Sequence, residues 1–162
     1  MKQVLFYVFI LIFWGVACKT PKAGSTKEVA DNQMASQAQG IVGQVSEVFG
    51  NQMPMVGAPA PTPKPFKTTV YIYDSTHSSR VKQIGTSPLY SVVNTRLVQK
   101  LDTNEAGQFS AALEVGTYSV FVLKGGAFFA NQFDEKNNIG ICRVEVGKQT
   151  RLQITVNTDA SY

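Results

Sequence analysis

The chain has 162 residues, is 44% apolar and 16% charged, and carries a formal net charge of +4. That length suits one domain rather than two, and basic residues scattered without a run exclude a nucleic-acid footprint. With two cysteines and one histidine there is no Cys/His cluster for zinc and little material for a hydrolytic triad, so no metal and no cofactor are expected.

The N-terminus opens with a basic residue, Lys2, followed by an unbroken apolar run from Val4 to Ala17. A membrane-spanning helix needs about 20 such residues; the apolar region of an export signal needs roughly 7–15. Residues 1–17 therefore read as a signal peptide, a retained anchor helix being the alternative. The run ends in Gly15-Val16-Ala17-Cys18. This resembles the lipobox of bacterial lipoproteins, with Gly15 where Leu is usual. The resemblance implies that a peptidase cuts before Cys18 and that its thiol takes a diacylglycerol. The competing reading is a disulfide to Cys142. It is disfavoured because Cys18 heads a polar stretch whose ordering would cost backbone entropy.

Residues 18–39, with "KTPKAGSTKEVADNQMASQAQ" after the cysteine, are polar and poor in bulky side chains. They can bury little apolar surface and read as a flexible tether; a short helix over Glu28–Gln37 is the alternative there. Residues 40–162 then form the body, where the pattern changes to period two. "GIVGQVSEVFG" reads as the first strand. "TTVYIYD" alternates Val70 and Ile72 with Tyr71 and Tyr73. "TRLVQKL" is another strand, and "QFSAAL" sets Phe109, Ala111 and Leu113 on one face. "TYSVFVLK" is apolar on both faces and reads as central. "CRVEV" turns Cys142, Val144 and Val146 inward, and "TRLQITVN" does the same with Leu152, Ile154 and Val156. About seven short strands separated by polar turns predict an all-β fold, an antiparallel β-sandwich of prealbumin-like or Ig-like type. Cys142 is expected to be a buried free thiol.

Two stretches break the pattern. "NQMPMVGAPAPTPKPF" holds five of the seven prolines and reads as a stiff exposed loop between the first two strands. "STHSSRVKQIGTSPLYSVVN" reads as a second long irregular loop, of a length that leans toward binding.

The second half carries two turn motifs. Thr103-Asn104-Glu105-Ala106-Gly107-Gln108-Phe109 is similar to the T-D-x-x-G-x-F turn of carboxypeptidase regulatory-like domains, with Asn104 for Asp. Leu113-Glu114-Val115-Gly116-Thr117-Tyr118 is similar to their L-P-x-G-x-Y step, without its frequent Pro. "GNQMP" and "FFANQFD" also look like secreted Bacteroidota members of that group. The resemblance spans roughly residues 40–157. It implies a transthyretin-like sandwich used as an accessory module, with Asn104, Gly107, Phe109, Gly116 and Tyr118 as fold determinants. On physical grounds Gly107 suits a turn needing positive φ, and the Tyr118 hydroxyl can reach a backbone partner.

These readings point to a non-catalytic lipoprotein of the cell envelope that binds or scaffolds. The expected location is the outer membrane, lipid-anchored and facing the periplasm, with an envelope protein or glycan as partner. One alternative is an enzyme resembling the transthyretin-like hydroxyisourate hydrolases. Those use two histidines and a C-terminal Tyr-Arg-Gly-Ser, whereas this chain has only His77 and ends Asp159-Ala160-Ser161-Tyr162. His77 lies in a polar "STHSSR" loop, where a solvated histidine is expected rather than a catalytic base. The other alternative is an adhesin-type sandwich locked by a Lys–Asn isopeptide bond, for which no lysine or asparagine stands out at a core-facing position with a carboxylate partner. The candidate partner surface is "GGAFFANQFDEKNN", with Phe128, Phe129, Asn131, Phe133 and Asp134. The bland counterpart is that two of its three phenylalanines plug one end of the sandwich. Asp134, Glu135 and Asn137 lack the spacing of a calcium loop.

Overall fold

Alternation of apolar and polar residues decides which way each strand faces. Val70, Ile72, Val120 and Val122 point to one side of their sheet and are buried in one cluster with Ile41, Val45, Phe109 and Val156 of the other sheet. The computed structural model describes residues 39–53, 57 and 62–161. The expected signal peptide, Cys18 and nearly all of the tether lie outside the described residues. Gln39, at the tether's end, is tied to the body: its side chain donates to the Leu113 carbonyl at 2.9 Å and accepts from the Gly147 N–H at 3.0 Å.

Among the described residues eleven strands are formed rather than about seven. They are β1 (Gly40–Asn51), β2 (Lys64–Pro65), β3 (Thr69–Asp74), β4 (Val81–Gln83), β5 (Leu89–Val93), β6 (Leu97–Asp102), β7 (Gln108–Ala112), β8 (Gly116–Lys124), β9 (Ala127–Phe129), β10 (Ile141–Val144) and β11 (Gln149–Ser161). A four-stranded sheet runs β11-β1-β2, with β7 also beside β1. A seven-stranded sheet runs β4-β5-β9-β8-β3-β6, with β10 also beside β8. The result is the expected β-sandwich with one departure from antiparallel order: β1 and β11 pair in parallel, Gly40 opposite Gln149 through Val45 opposite Ile154. The first and last strands of the described chain thus close one sheet together.

Three further differences have local causes. The stretch read as a long loop after β3 contains a 3₁₀ turn at Ser78–Arg80 and the β4–β5 hairpin; pairing of β5 with β9 orders it. Val146, expected inward, is 78% exposed, because β10 stops at Val144 and the Lys148 N–H bonds the Glu145 carbonyl in the turn that follows. In the proline-rich stretch Lys64 and Pro65 make a two-residue pairing with Glu47 and Ser46.

β8 is central, as read, with β3 on one side and β9 and β10 on the other. Its two faces serve two clusters. Val120 and Val122 belong to the core between the sheets, while Phe121 joins Tyr73, Tyr90, Ala130 and Ile139 on the opposite face. There the rings meet edge to face: Tyr73 and Tyr90 lie 5.7 and 5.9 Å from Phe121, contacts worth about 0.5–1.5 kcal/mol each beyond area burial. Burial of each large apolar side chain contributes roughly 1.5–3 kcal/mol.

The motif residues do what their chemistry suggests. Asn104 Oδ1 accepts from the Ala106 and Gln108 N–H groups at 3.0 and 2.8 Å. Gly107 takes φ +72° and presses on β1, where an added Cβ would lie 2.2 Å from the Val45 carbonyl oxygen. Phe109 and Tyr118 come from opposite sheets into one core. The Tyr118 ring lies against Gly116, and its hydroxyl donates to the Glu114 carbonyl at 3.0 Å. Thr103 is buried too; its hydroxyl accepts from the Thr68 N–H at 2.8 Å.

Candidate partner-binding surface

The β8–β9 hairpin turns at Gly125-Gly126, and the residues after it divide sharply. Phe129 pairs in register with Val122 and Leu89 and is 0% exposed. Its place in the candidate surface is therefore corrected: it is a core residue. Phe128 leans into the second aromatic cluster, 5.0 Å from the Tyr71 ring. Two of the three phenylalanines are thus packing residues, because the seven-stranded sheet has a core on each face and both sides of β9 are used.

Asn131 and Phe133 remain at the surface, Phe133 with 54% of its area exposed. Asp134 is only partly accessible, and its carboxylate is consumed locally. Oδ1 accepts from the Lys136 and Asn138 N–H groups at 2.9 and 2.8 Å, and Oδ2 accepts from the Asn138 side-chain amide at 2.8 Å. These bonds, led by the Asn138 side chain, hold its carboxyl below the ordinary carboxylate value. Asp134 builds the turn that presents Phe133; a partner would not find that carboxylate free.

The segment before Phe133 borders a cleft. The Gly140 N–H donates to the Gln132 carbonyl at 2.8 Å, and the Val120 N–H to the Gly140 carbonyl at 2.9 Å. An added Cβ on Gly140 (φ +58°) would lie 2.5 Å from the Val120 oxygen, so glycine permits this close approach. Across the gap stand Leu152, Gln153 and Ile154 of β11. Together with Val120, Ala130, Asn131 and Gln132 they border a small solvent-open cleft between the two sheets. The sequence reading placed residues 130–132 in its candidate segment but did not bring β11 to face them. The available signal was the exposed series Arg151, Gln153 and Thr155 on a strand of thirteen residues.

His77 caps the 3₁₀ turn. Its Nδ1 accepts from the Ser79 N–H at 3.1 Å and lies 2.9 Å from Ser79 Oγ. The ring is exposed, and among the described residues no carboxylate is hydrogen-bonded to it. The Ser79–His77 contact is thus a local cap built two residues apart.

A lysine in a carboxylate setting does occur. Lys124 Nζ, at the end of β8, binds Glu47 of β1, lies 2.9 Å from Asp159 Oδ2 of β11, and sits 5.3 Å above the Phe66 ring. This ties the two sheets at one end. The hydrogen bonds it donates to Glu47 and then Asp159 raise its affinity for the proton. The amine is held as ammonium, with no lone pair for attack on a carboxyl, and Asp159 is 57% exposed. The cluster is an ion-pair staple. Cys142 is buried and free, and burial pushes its thiol up to about 11, which keeps it protonated and unreactive near neutral pH. Among the described residues no three His, Cys, Asp or Glu side chains converge as a metal site.

Compared with known proteins, the chain matches no family model, no curated protein and no solved structure.

Proposed function

We propose that the protein is a non-catalytic bacterial cell-envelope lipoprotein whose β-sandwich acts as a binding or scaffolding module. In this reading the mature chain begins at acylated Cys18. It resides in the outer membrane facing the periplasm, and its partner is an envelope protein or glycan. The N-terminal support is the short apolar run ending in Gly-Val-Ala-Cys. The observation that carries the binding reading is Phe133: a large aromatic side chain, more than half exposed, on a turn fixed by three hydrogen bonds to Asp134. An exposed ring on a rigid support binds with little ordering cost.

The test is photo-crosslinking from position 133 in the full chain, in membranes of the native host. A discrete crosslinked species, absent when the crosslinker replaces Lys82 on β4, is expected. Adducts at neither position, or at both, would remove the support. For the anchor, Cys18→Ser should abolish labelling by a palmitate analogue and release the protein from membranes; labelling that persists rejects the lipoprotein reading. Protease treatment of intact cells reports the facing, and digestion there would indicate surface display. Hydrolysis of hydroxyisourate or an ester, lost on His77→Ala, would overturn the non-catalytic reading.

A further inference from the structure

Among the described residues β11 is the outermost strand of its sheet. Its parallel pairing with β1 starts at the bond from the Gly40 N–H to the Lys148 carbonyl. In a parallel ladder a residue turns both its backbone groups to the same neighbour, and successive residues alternate sides. From Lys148 to Val156 the even-numbered residues therefore serve β1. Arg151, Gln153 and Thr155 turn their N–H and C=O groups to the open side. The register is regular here; the one irregularity lies further on, between the Glu47 and Phe49 pairings. Natural edge strands are blunted by proline, bulges or charge, and Arg151 alone does this over residues 150–156.

We infer that this edge accepts an added strand: an extended segment of a partner polypeptide, with small apolar side chains alternating with polar ones and an acidic residue facing Arg151. The inference rests on the binding-module reading and names its mode. Main-chain bonds to Arg151, Gln153 and Thr155 would supply affinity, and side chains on alternate positions would supply selectivity. The inward set would lie over the cleft between Leu152 and Ile154 on one sheet and Val120 and Ala130 on the other, whose small size favours small side chains. The cleft wall continues through Asn131 and Gln132 to exposed Phe133, so the strand edge and the aromatic belong to one surface. Charge selects the partner. Arg151 is exposed on the edge strand, and the Thr150 hydroxyl, donating to the Arg143 carbonyl at 2.6 Å, holds β10 against the start of β11. A second copy would bring the same cation to the shared edge, whereas an acidic strand complements it.

The test pans phage-displayed random dodecapeptides against the full chain in detergent and uses the enriched peptide as probe. Enriched sequences should alternate apolar with polar residues and include Asp or Glu. Gln153→Pro removes an outward N–H without touching the ladder to β1. It should weaken the probe about tenfold, the size of one lost hydrogen bond with its steric penalty. Arg151→Glu should weaken it severalfold, with rescue by Arg151→Lys. Should the proline variant not fold, hydrogen exchange on the wild type decides: β11 amides must slow when the probe binds. No enrichment, unchanged affinity of Gln153→Pro, or unprotected β11 amides overturns strand addition. So does self-association of the probe-free wild type that Gln153→Pro abolishes, which would make the occupant a second copy. A partner crosslinked at position 133 and held equally well by Gln153→Pro would reject strand addition while leaving the binding module intact.

Discussion

The same turn is built twice in this molecule, once from Asn104 to Gln108 and once from Asp134 to Asn138. In each, the side chain of the first residue accepts from the N–H groups two and four positions on, at 3.0 and 2.8 Å in the first turn and 2.9 and 2.8 Å in the second. In each, the first residue's N–H donates to the fifth carbonyl, and the fourth residue's N–H returns to the first carbonyl. The fourth residue is left-handed in both: Gly107 at φ +72° and Asn137 at φ +59°. The surroundings differ. Gly107 is pressed on β1 with its carbonyl accepting from the Val45 N–H at 2.7 Å, and its turn leads into buried Phe109. The second turn touches the protein through the Ser78 N–H to the Asn137 carbonyl at 2.9 Å, and it follows exposed Phe133. Local chemistry makes the turn; what packs behind it decides whether the turn holds a core or displays a side chain.

The largest expected contrast lies in the flanking aromatics. Phe109→Ala should cost about 3–5 kcal/mol, the price of a core cavity, while Phe133→Ala should stay within about 0.5 kcal/mol, as surface changes do. Thermal melts of the two variants measure this, and equal losses would break the comparison. The left-handed positions come next. Gly107→Asn keeps a residue that tolerates positive φ yet drives a Cβ toward the Val45 oxygen, so a loss of about 2–3 kcal/mol is expected. Asn137→Gly, relieving left-handed strain in an open turn, should move stability by less than about 1 kcal/mol. Denaturant titration separates the two.

The smallest effect is one of pH. Asp134 has a folded value below its ordinary 3.8. Its contribution is therefore complete above about pH 4 and is lost as pH falls through the lower folded value. The Lys136 and Asn138 amides should shift in that window when followed by NMR. The Ala106 and Gln108 amides should not, because Asn104 has no proton to gain. Identical acid shifts in both turns would refute the assignment of Asp134 as the turn's anchor.

Much of this architecture was readable from one-dimensional pattern. The period-two alternation in "TTVYIYD" and "TRLQITVN" put Val70, Ile72, Leu152, Ile154 and Val156 on the core side, where they lie wholly or partly buried. The run Tyr118–Leu123, apolar on both faces, marked the central strand. The spacing Asn104-x-x-Gly107 marked the turn. The misreadings share one cause: a side chain's chemistry was visible but its neighbour was not. Phe129 and Phe133 are the same residue type four positions apart, and only the pairing of β9 with β5 and β8 buries one of them. Asp134 looked available because two of its three partners are backbone groups and the third is the Asn138 side chain, none of which the pattern marks. Val146 continued the alternation of "CRVEV", yet the turn at Glu145–Lys148 ended the strand first.

By itself the sequence determined the fold class, the central strand, the turn chemistry and a candidate segment for the surface, because these depend on alternation, conformational freedom at glycine and side-chain-to-backbone bonds within a few residues. Only the tertiary structure decided the parallel pairing of β1 with β11, the Lys124–Glu47–Asp159 staple and the cleft between Val120 and Ile154. Each joins residues more than thirty positions apart in the chain. Contacts at such separations are set by how two sheets stack and by which edge is left open, and no local pattern encodes either.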